Sequence, residues 1–245
     1  MIPTSPIDPH FRVEVLHAVK NPQKLSWQAM HTDYSENFVA DEIPPSEAAA
    51  GEIIVRRLLA GERGHYGPLE HPSIVFNVGW FPHTVMQQAR THRIGCSWDV
   101  QSGRYTSQRI LDVISGQRSV EEVFYLRQPG SYTNRQGARY TYTEDARHRD
   151  LARCLDAAAH YANQIQDGFA EEHARELIPY AIRQHFVVSF NLRSLMHFAD
   201  LRAKRDAQLE IQQMCELMLP HFTAWAPAIA GWYIENRLHK ARLAP

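Results

Sequence analysis

QQARTHRIGCSWDVQSGRYT, residues Gln87 to Thr106, holds the densest chemistry in the chain. Pro82 suits the first turn of a helix running to about Arg93, and this helix leads into a polar segment carrying Ser97, Asp99, Gln101, Ser102, Arg104 and Tyr105. On such a helix Arg90 and Arg93 share a face, with Gln87 one turn earlier on the same stripe. That many donors suit a phosphate or pyrophosphate. A solvated amphipathic helix followed by a polar loop would read the same way, and spacing by itself does not separate the two. No GxSxG elbow surrounds Ser102, so a serine nucleophile is disfavoured.

Outward from this stretch, helix and sheet are mixed. Phe11 to Val19 alternates as a strand, and Ser46 to Leu59 reads as a helix begun by a Pro-Pro-Ser cap. His65 to His71 (HYGPLEH) is expected to be a loop, and Ser73 to Trp80 a buried strand. Ser97 to Arg109 reads as surface loop, and Gln128 to Thr143, rich in Asn, Gln, Ser, Gly and Pro, as loop or hairpin. Helical spacing covers Asp145 to Ala170, Glu171 to His185, Asn191 to Leu219 and Thr223 to Leu238, with breaks near Phe186 to Phe190 and at Pro220 and Pro227. No repeat or interdomain linker is visible, so the 245 residues are expected to form a single domain, 1–245.

A second cluster follows: ARELIP, ending at Pro179, then NLRSLMHFADLRAKRDAQLEIQ, Asn191 to Gln212. Arg193 and Arg202 are nine residues apart, which at about 100° per residue places them on opposite faces of an unbroken helix. They are therefore expected to serve two sites, most simply across a subunit interface. Arg202 falls on the apolar stripe of Leu195, Phe198 and Ala199. A buried guanidinium needs an anion, although it could instead reach the surface or pair with Asp206 or Glu210.

Composition narrows the function. With 44% hydrophobic and 22% charged residues, the chain can bury a core. Lys plus Arg total 26 against 27 for Asp plus Glu, so no global charge draws it to nucleic acid or an anionic membrane. Met1 to His10 shows neither a basic segment nor a signal-length apolar stretch, and no run approaches the ~18 apolar residues of a membrane span. Cys96, Cys154 and Cys215 are widely spaced and outside any CxxC pattern. A cytoplasmic location, with no membrane and no nucleic acid as partner, is expected. Fourteen histidines raise a metallohydrolase, but His65 and Glu70 are too far apart for an inverted zinc motif, so no metal is expected. A nucleotide- or RNA-binding module using Arg90, Arg93 and Arg104 with Trp98 and Tyr105 for stacking is the alternative to an enzyme.

The two clusters together resemble the flavin-dependent thymidylate synthases. The family's Arg-His-Arg cluster, Ser and Gly-Arg-Tyr are matched by Arg93, Ser102 and Gly103-Arg104-Tyr105. Its distal pattern is matched by Asn191-Leu192-Arg193-Ser194-Leu195, Leu201-Arg202 and Ala207-Gln208-Leu209-Glu210-Ile211, and its Pro-x-Glu-His loop by Pro68-Leu69-Glu70-His71. The resemblance implies an α+β fold with a mixed sheet and long C-terminal helices. It also implies a homotetramer with active sites shared between chains, which methylates dUMP to dTMP. The cofactor would be FAD, with NADPH and 5,10-methylenetetrahydrofolate as co-substrates.

By the same resemblance, Gln88, Arg90, Ser102, Gly103, Arg104 and Arg175 would hold dUMP, and His92, Arg93, Asn191, Arg193 and His197 would hold FAD. Arg202 would contact the pyrimidine and act in catalysis by stabilising charge as uracil C5 becomes nucleophilic. His65 would approach the substrate. This chain is a variant: Thr91 separates Arg90 from His92, and eight residues rather than seven separate Arg93 from Ser102. Gln87 or Gln88, and Arg90 or Thr91, therefore compete for the same roles. Val100 stands where the family often carries Glu or Gln, which makes Gln101 the candidate substitute. His197 stands where other members carry Asn, and Asp206 where some carry His. No cysteine occupies a catalytic position.

Overall fold

The computed structural model describes residues 6–61, 65–134 and 136–240. Its centre is a four-stranded sheet of β1 (Arg12–Ala18), β2 (Ser73–Pro82), β3 (Cys96–Val100) and β6 (Arg183–Asn191), in the order β1-β2-β6-β3. Every pairing is antiparallel, where a mixed sheet was expected. The sheet is sided because its apolar residues alternate: Ile74, Phe76 and Val78 of β2 and Phe186, Val188 and Phe190 of β6 point into one core.

Among the described residues, ten α-helices accompany the sheet. The first three are α1 (Pro22–Thr32), α2 (Glu47–Ile54) and α3 (His83–Ala89). Between β3 and β6 lie α4 (Gln108–Ile114), α5 (Val120–Val123), α6 (Glu144–Gln166) and α7 (Glu171–Ala174). The last three, α8 (Leu192–Arg202), α9 (Leu209–Trp225) and α10 (Pro227–Asn236), are the expected C-terminal helices: α9 packs on β1, α8 on β6, and α10 on α9 and α2. Ser46 caps α2 as read from the sequence, its side chain accepting from the Ala49 amide. Helices α4 to α7 build a second cluster around Ile110, Phe124, Cys154 and Tyr161. Arg183 ties it to the sheet, donating to the Glu121 carbonyl (2.8 Å) and pairing with Asp8 (3.0 Å).

Gln128 to Thr143 forms a hairpin, β4 (Gly130–Thr133) with β5 (Arg139–Tyr142). Four expectations are corrected. Helix α3 stops at Ala89, not Arg93, so Gln87, Arg90 and Arg93 do not share one helical stripe. Cys96–Val100 is a strand rather than a loop, because β6 supplies its hydrogen bonds. Glu171 to His185 is not one helix: α7 ends at Ala174, and the chain turns into β6, whose short apolar run does not by itself distinguish helix from strand. Asn191 to Leu219 is two helices, α8 and α9, and Pro220, expected to break a helix, sits inside α9 at an exposed position.

Candidate active site

The end of α3 and the whole of α8 build the site between them. The carbonyls in the last turn of a helix lack internal partners. Here the Gln88 carbonyl accepts from a guanidinium nitrogen of Arg202 (3.2 Å), and the same nitrogen donates to Thr91 Oγ1 (3.0 Å). Arg202 Nε–H donates to His92 Nε2 (3.0 Å). That bond requires His92 to keep a lone pair on Nε2, hence a neutral ring. Burial first, then the neighbouring Arg202 and His197, push the His92 pKa down to about 4. The Arg202 guanidinium is thus fixed at three acceptors, and no carboxylate among the described residues pairs with it, Asp206 and Glu210 included.

A glycine sets the neighbouring turn. Gly95 has φ +66°, and a Cβ there would lie 2.1 Å from Ser194 Oγ and 2.4 Å from Asn191 Nδ2. Asn191 Oδ1 caps α8 by accepting from the Ser194 amide (2.8 Å), and Ser194 Oγ donates to the Ile94 carbonyl (2.7 Å). This knot brings Arg93 beside Arg193, whose guanidinium pairs with Glu70 (2.5 Å).

Two cavities meet at Arg202. One, about 650 Å³, is lined by Thr91, His92, Arg93, Arg193, His197 and Arg202 among others. The other, about 610 Å³, is lined by Gln88, Arg127, Thr133, Asn134, Lys204, Gln208 and Glu210 as well as Leu201 and Arg202, which both cavities share. Arg193 and Arg202 therefore border one cavity rather than two separate sites. The cavity runs along α8, so long side chains from either end of the helix reach it.

The remaining candidates lie elsewhere. Arg90 is exposed at the C-cap of α3, and Gln87 bonds His83 Nε2 (2.7 Å); neither lines these cavities. The position beside Arg202 goes to Thr91, and that facing the second cavity to Gln88, whose amide donates to Gln208. Asn191 serves the cap of α8 and His65 pairs with Asp33 (2.7 Å). Ser102, Gly103, Arg104 and Arg175 gather at the far end of β3. There the Gln101 amide donates to the His185 carbonyl, Gly103 packs on the Arg175 side chain, and Arg104 Nε lies 3.4 Å from Glu172. β3 ends at Val100, so Ser102 lies beyond the strand, with five residues between it and Cys96. Arg127 and the hairpin residues Thr133 and Asn134 line the second cavity although nothing in their sequence pattern singled them out.

The thiols are poor nucleophiles. Cys96 is half-buried with its thiol donating to the His92 carbonyl (3.1 Å), and burial raises its pKa and those of Cys154, to about 11, and Cys215. No group of three or more His, Cys, Asp or Glu among the described residues is placed to hold a metal ion. None of the described helices is long and apolar enough to cross a membrane.

The first cavity suits a flavin dinucleotide by its donor set. Arg93 supplies a guanidinium for a pyrophosphate, and His92 and His197, both held below the usual imidazole range chiefly by burial, supply neutral ring nitrogens. An antiparallel sheet backed by helices carries two cavities that share Arg202 and are each lined by arginines, a donor set suited to nucleotide anions. The chain matches the family described as thymidylate synthase complementing protein over residues 14–228. It is 32% identical to the flavin-dependent thymidylate synthase of Halobacterium salinarum, over 96% of this chain and all of the relative, and 32% identical to that of Haloarcula marismortui, over 95% and 99%. In fold it resembles the UMP/dUMP methylase PolB from Streptomyces cacaoi bound with 5-Br dUMP (TM-score 0.73, 23% identity, 98% of both chains). This chain belongs to the flavin-dependent thymidylate synthases.

Proposed function

We propose that the two cavities joined at Arg202 are where this chain methylates dUMP to dTMP. FAD is the cofactor, NADPH and 5,10-methylenetetrahydrofolate are co-substrates, and tetrahydrofolate is released. The observation that carries this assignment is Arg202 itself, a partly buried guanidinium with no carboxylate partner among the described residues, standing in the wall between a cavity suited to a dinucleotide and one suited to a nucleotide.

FAD, when bound, supplies the hydride that completes the methyl group. The chain's own residues bind and orient. Arg93, Arg193, His92 and His197 would hold the dinucleotide. Gln88 would face the nucleotide, and Arg202 would stabilise the negative charge that spreads over the uracil ring as C5 becomes nucleophilic. Raised thiol pKa values leave no cysteine prepared to attack C6. Ser102, Gly103, Arg104 and Arg175, which line neither cavity, support a homotetramer in which these residues complete the site of a neighbouring chain. The bonds of Arg183 between the sheet and the α4 to α7 cluster support one domain over 1–245.

The test is visible absorption of the protein reconstituted with FAD under anaerobic conditions. NADPH should bleach the flavin bands, and they should return only when dUMP and the folate are both present. The Arg202→Ala variant should bind and bleach FAD but form no dTMP. Normal turnover in that variant would remove Arg202 from its assigned role, and a protein that binds no flavin would sink the whole reading.

A further inference from the structure

Thr91 interrupts the Arg-His-Arg cluster of this chain, and its hydroxyl is engaged in two directions. It donates to the Gln88 carbonyl (2.7 Å) and accepts from a terminal nitrogen of Arg202 (3.0 Å). The same nitrogen donates to the same carbonyl (3.2 Å), so Thr91, Gln88 and Arg202 close a triangle of hydrogen bonds. With its proton committed to Gln88, the hydroxyl can offer the guanidinium only a lone pair. The Thr91 amide also reaches the Gln88 carbonyl (3.4 Å), which places the side chain and that carbonyl in one turn at the end of α3.

The triangle gives the guanidinium a direction. Its N–H donors all lie in one plane. His92 takes the Nε–H, while Thr91 and Gln88 take both hydrogens of one terminal nitrogen. The other terminal nitrogen meets no acceptor among the described residues and is the one left for a ligand. Of the acceptors that set this plane, Gln88 contributes backbone, and His92 also lines the cavity suited to the dinucleotide. Thr91 is therefore the acceptor whose part can be isolated by substitution. It is exposed and belongs to neither hydrophobic cluster, so its side chain is not core packing.

We propose that Thr91 is a positioning residue of the methylation reaction: its hydroxyl fixes the plane of the Arg202 guanidinium, so that the unbonded terminal nitrogen is already aimed when the pyrimidine arrives. This rests on the reading that Arg202 meets the uracil ring. A donor held in advance needs no reorganisation as negative charge develops on that ring, so the gain falls on the reacting complex more than on substrate affinity.

The experiment compares steady-state dTMP formation by the FAD-loaded parent, by Thr91→Val, which keeps the shape and loses the hydroxyl, and by Thr91→Ser, which keeps the hydroxyl. In Thr91→Val, kcat should fall by about tenfold, the worth of a hydrogen bond to a charged group, while KM for dUMP, FAD affinity and Tm stay near parental. Thr91→Ser should recover most of that loss. If Thr91 only closed the turn after α3, Tm and FAD affinity would drop together with kcat, and that pattern would overturn the proposal. Parental kcat in Thr91→Val, or a Thr91→Ser variant as slow as Thr91→Val, would overturn it as well. Should Thr91→Val fold poorly, Thr91→Ala makes the same comparison, since truncation at an exposed site costs little stability. A parent that makes dTMP while any overturning result holds keeps the thymidylate synthase reading and loses only Thr91, whereas a parent that makes none removes both.

Discussion

A histidine that accepts a hydrogen bond from an arginine works only while it is neutral, and this ties the site to pH. His92 titrates near 4 instead of the usual 6.5, mainly through burial and then through repulsion by Arg202 and His197. The unfolded chain takes up that proton first, so stability is fully present above about 6.5 and declines as pH falls toward 4. Below that point the charged ring can no longer accept from Arg202. A ring titration followed by NMR should therefore give an apparent pKa well under 6.5, with activity lost as His92 protonates. A midpoint at or above 6.5 would contradict the neutral clamp. At the same scale, Thr91 occupies the position beside Arg202 that Arg90 was equally placed to take in sequence. What decides between them is where α3 ends, since residue 90 leaves the helix exposed and residue 91 turns back toward the guanidinium.

Elements place these residues through a few tight contacts. The turn from α3 into β3 depends on Gly95, because a side chain there would need a left-handed backbone and would also strike Ser194 and Asn191. Those two residues cap α8 and hold the turn that carries Arg93. Gly95→Ala should therefore cost about 1–3 kcal/mol in urea unfolding and weaken FAD binding in the fraction that folds. A variant as stable as the parent, with parental FAD affinity, would show that the knot is not what sets Arg93 against Arg193. The C-terminal helices answer to a similar logic. Asp200 of α8 is buried beside Arg237, just past α10, and burial raises its pKa to about 6 despite that partner.

For the whole molecule, the consequential geometry is the separation of Ser102, Gly103, Arg104 and Arg175 from Arg202. A site completed between chains makes a sharp prediction. Arg104→Ala and Arg202→Ala should each be inactive alone, yet mixed assemblies of the two should recover roughly a quarter of parental activity, since random mixing leaves that share of sites with both arginines. Mixtures that stay inactive, although mass measurement shows mixed oligomers, would place both groups in one chain's site.

The sequence by itself determined the chemistry. The motif residues from Pro68 to Ile211, the near-neutral charge and the alternating apolar strands were enough to indicate the family, the cofactor and an α+β core, because each depends on residue type and local order. The tertiary structure decided what depends on distant partners. β3 is a strand only because β6 lies beside it, and α3 ends where Arg202, over a hundred positions later, bonds the Gln88 carbonyl. Arg127 entered the site only through the hairpin and Glu210. Local patterning specifies which groups are available, whereas long-range hydrogen bonds and burial settle where each helix stops and which side chain then faces the cavity.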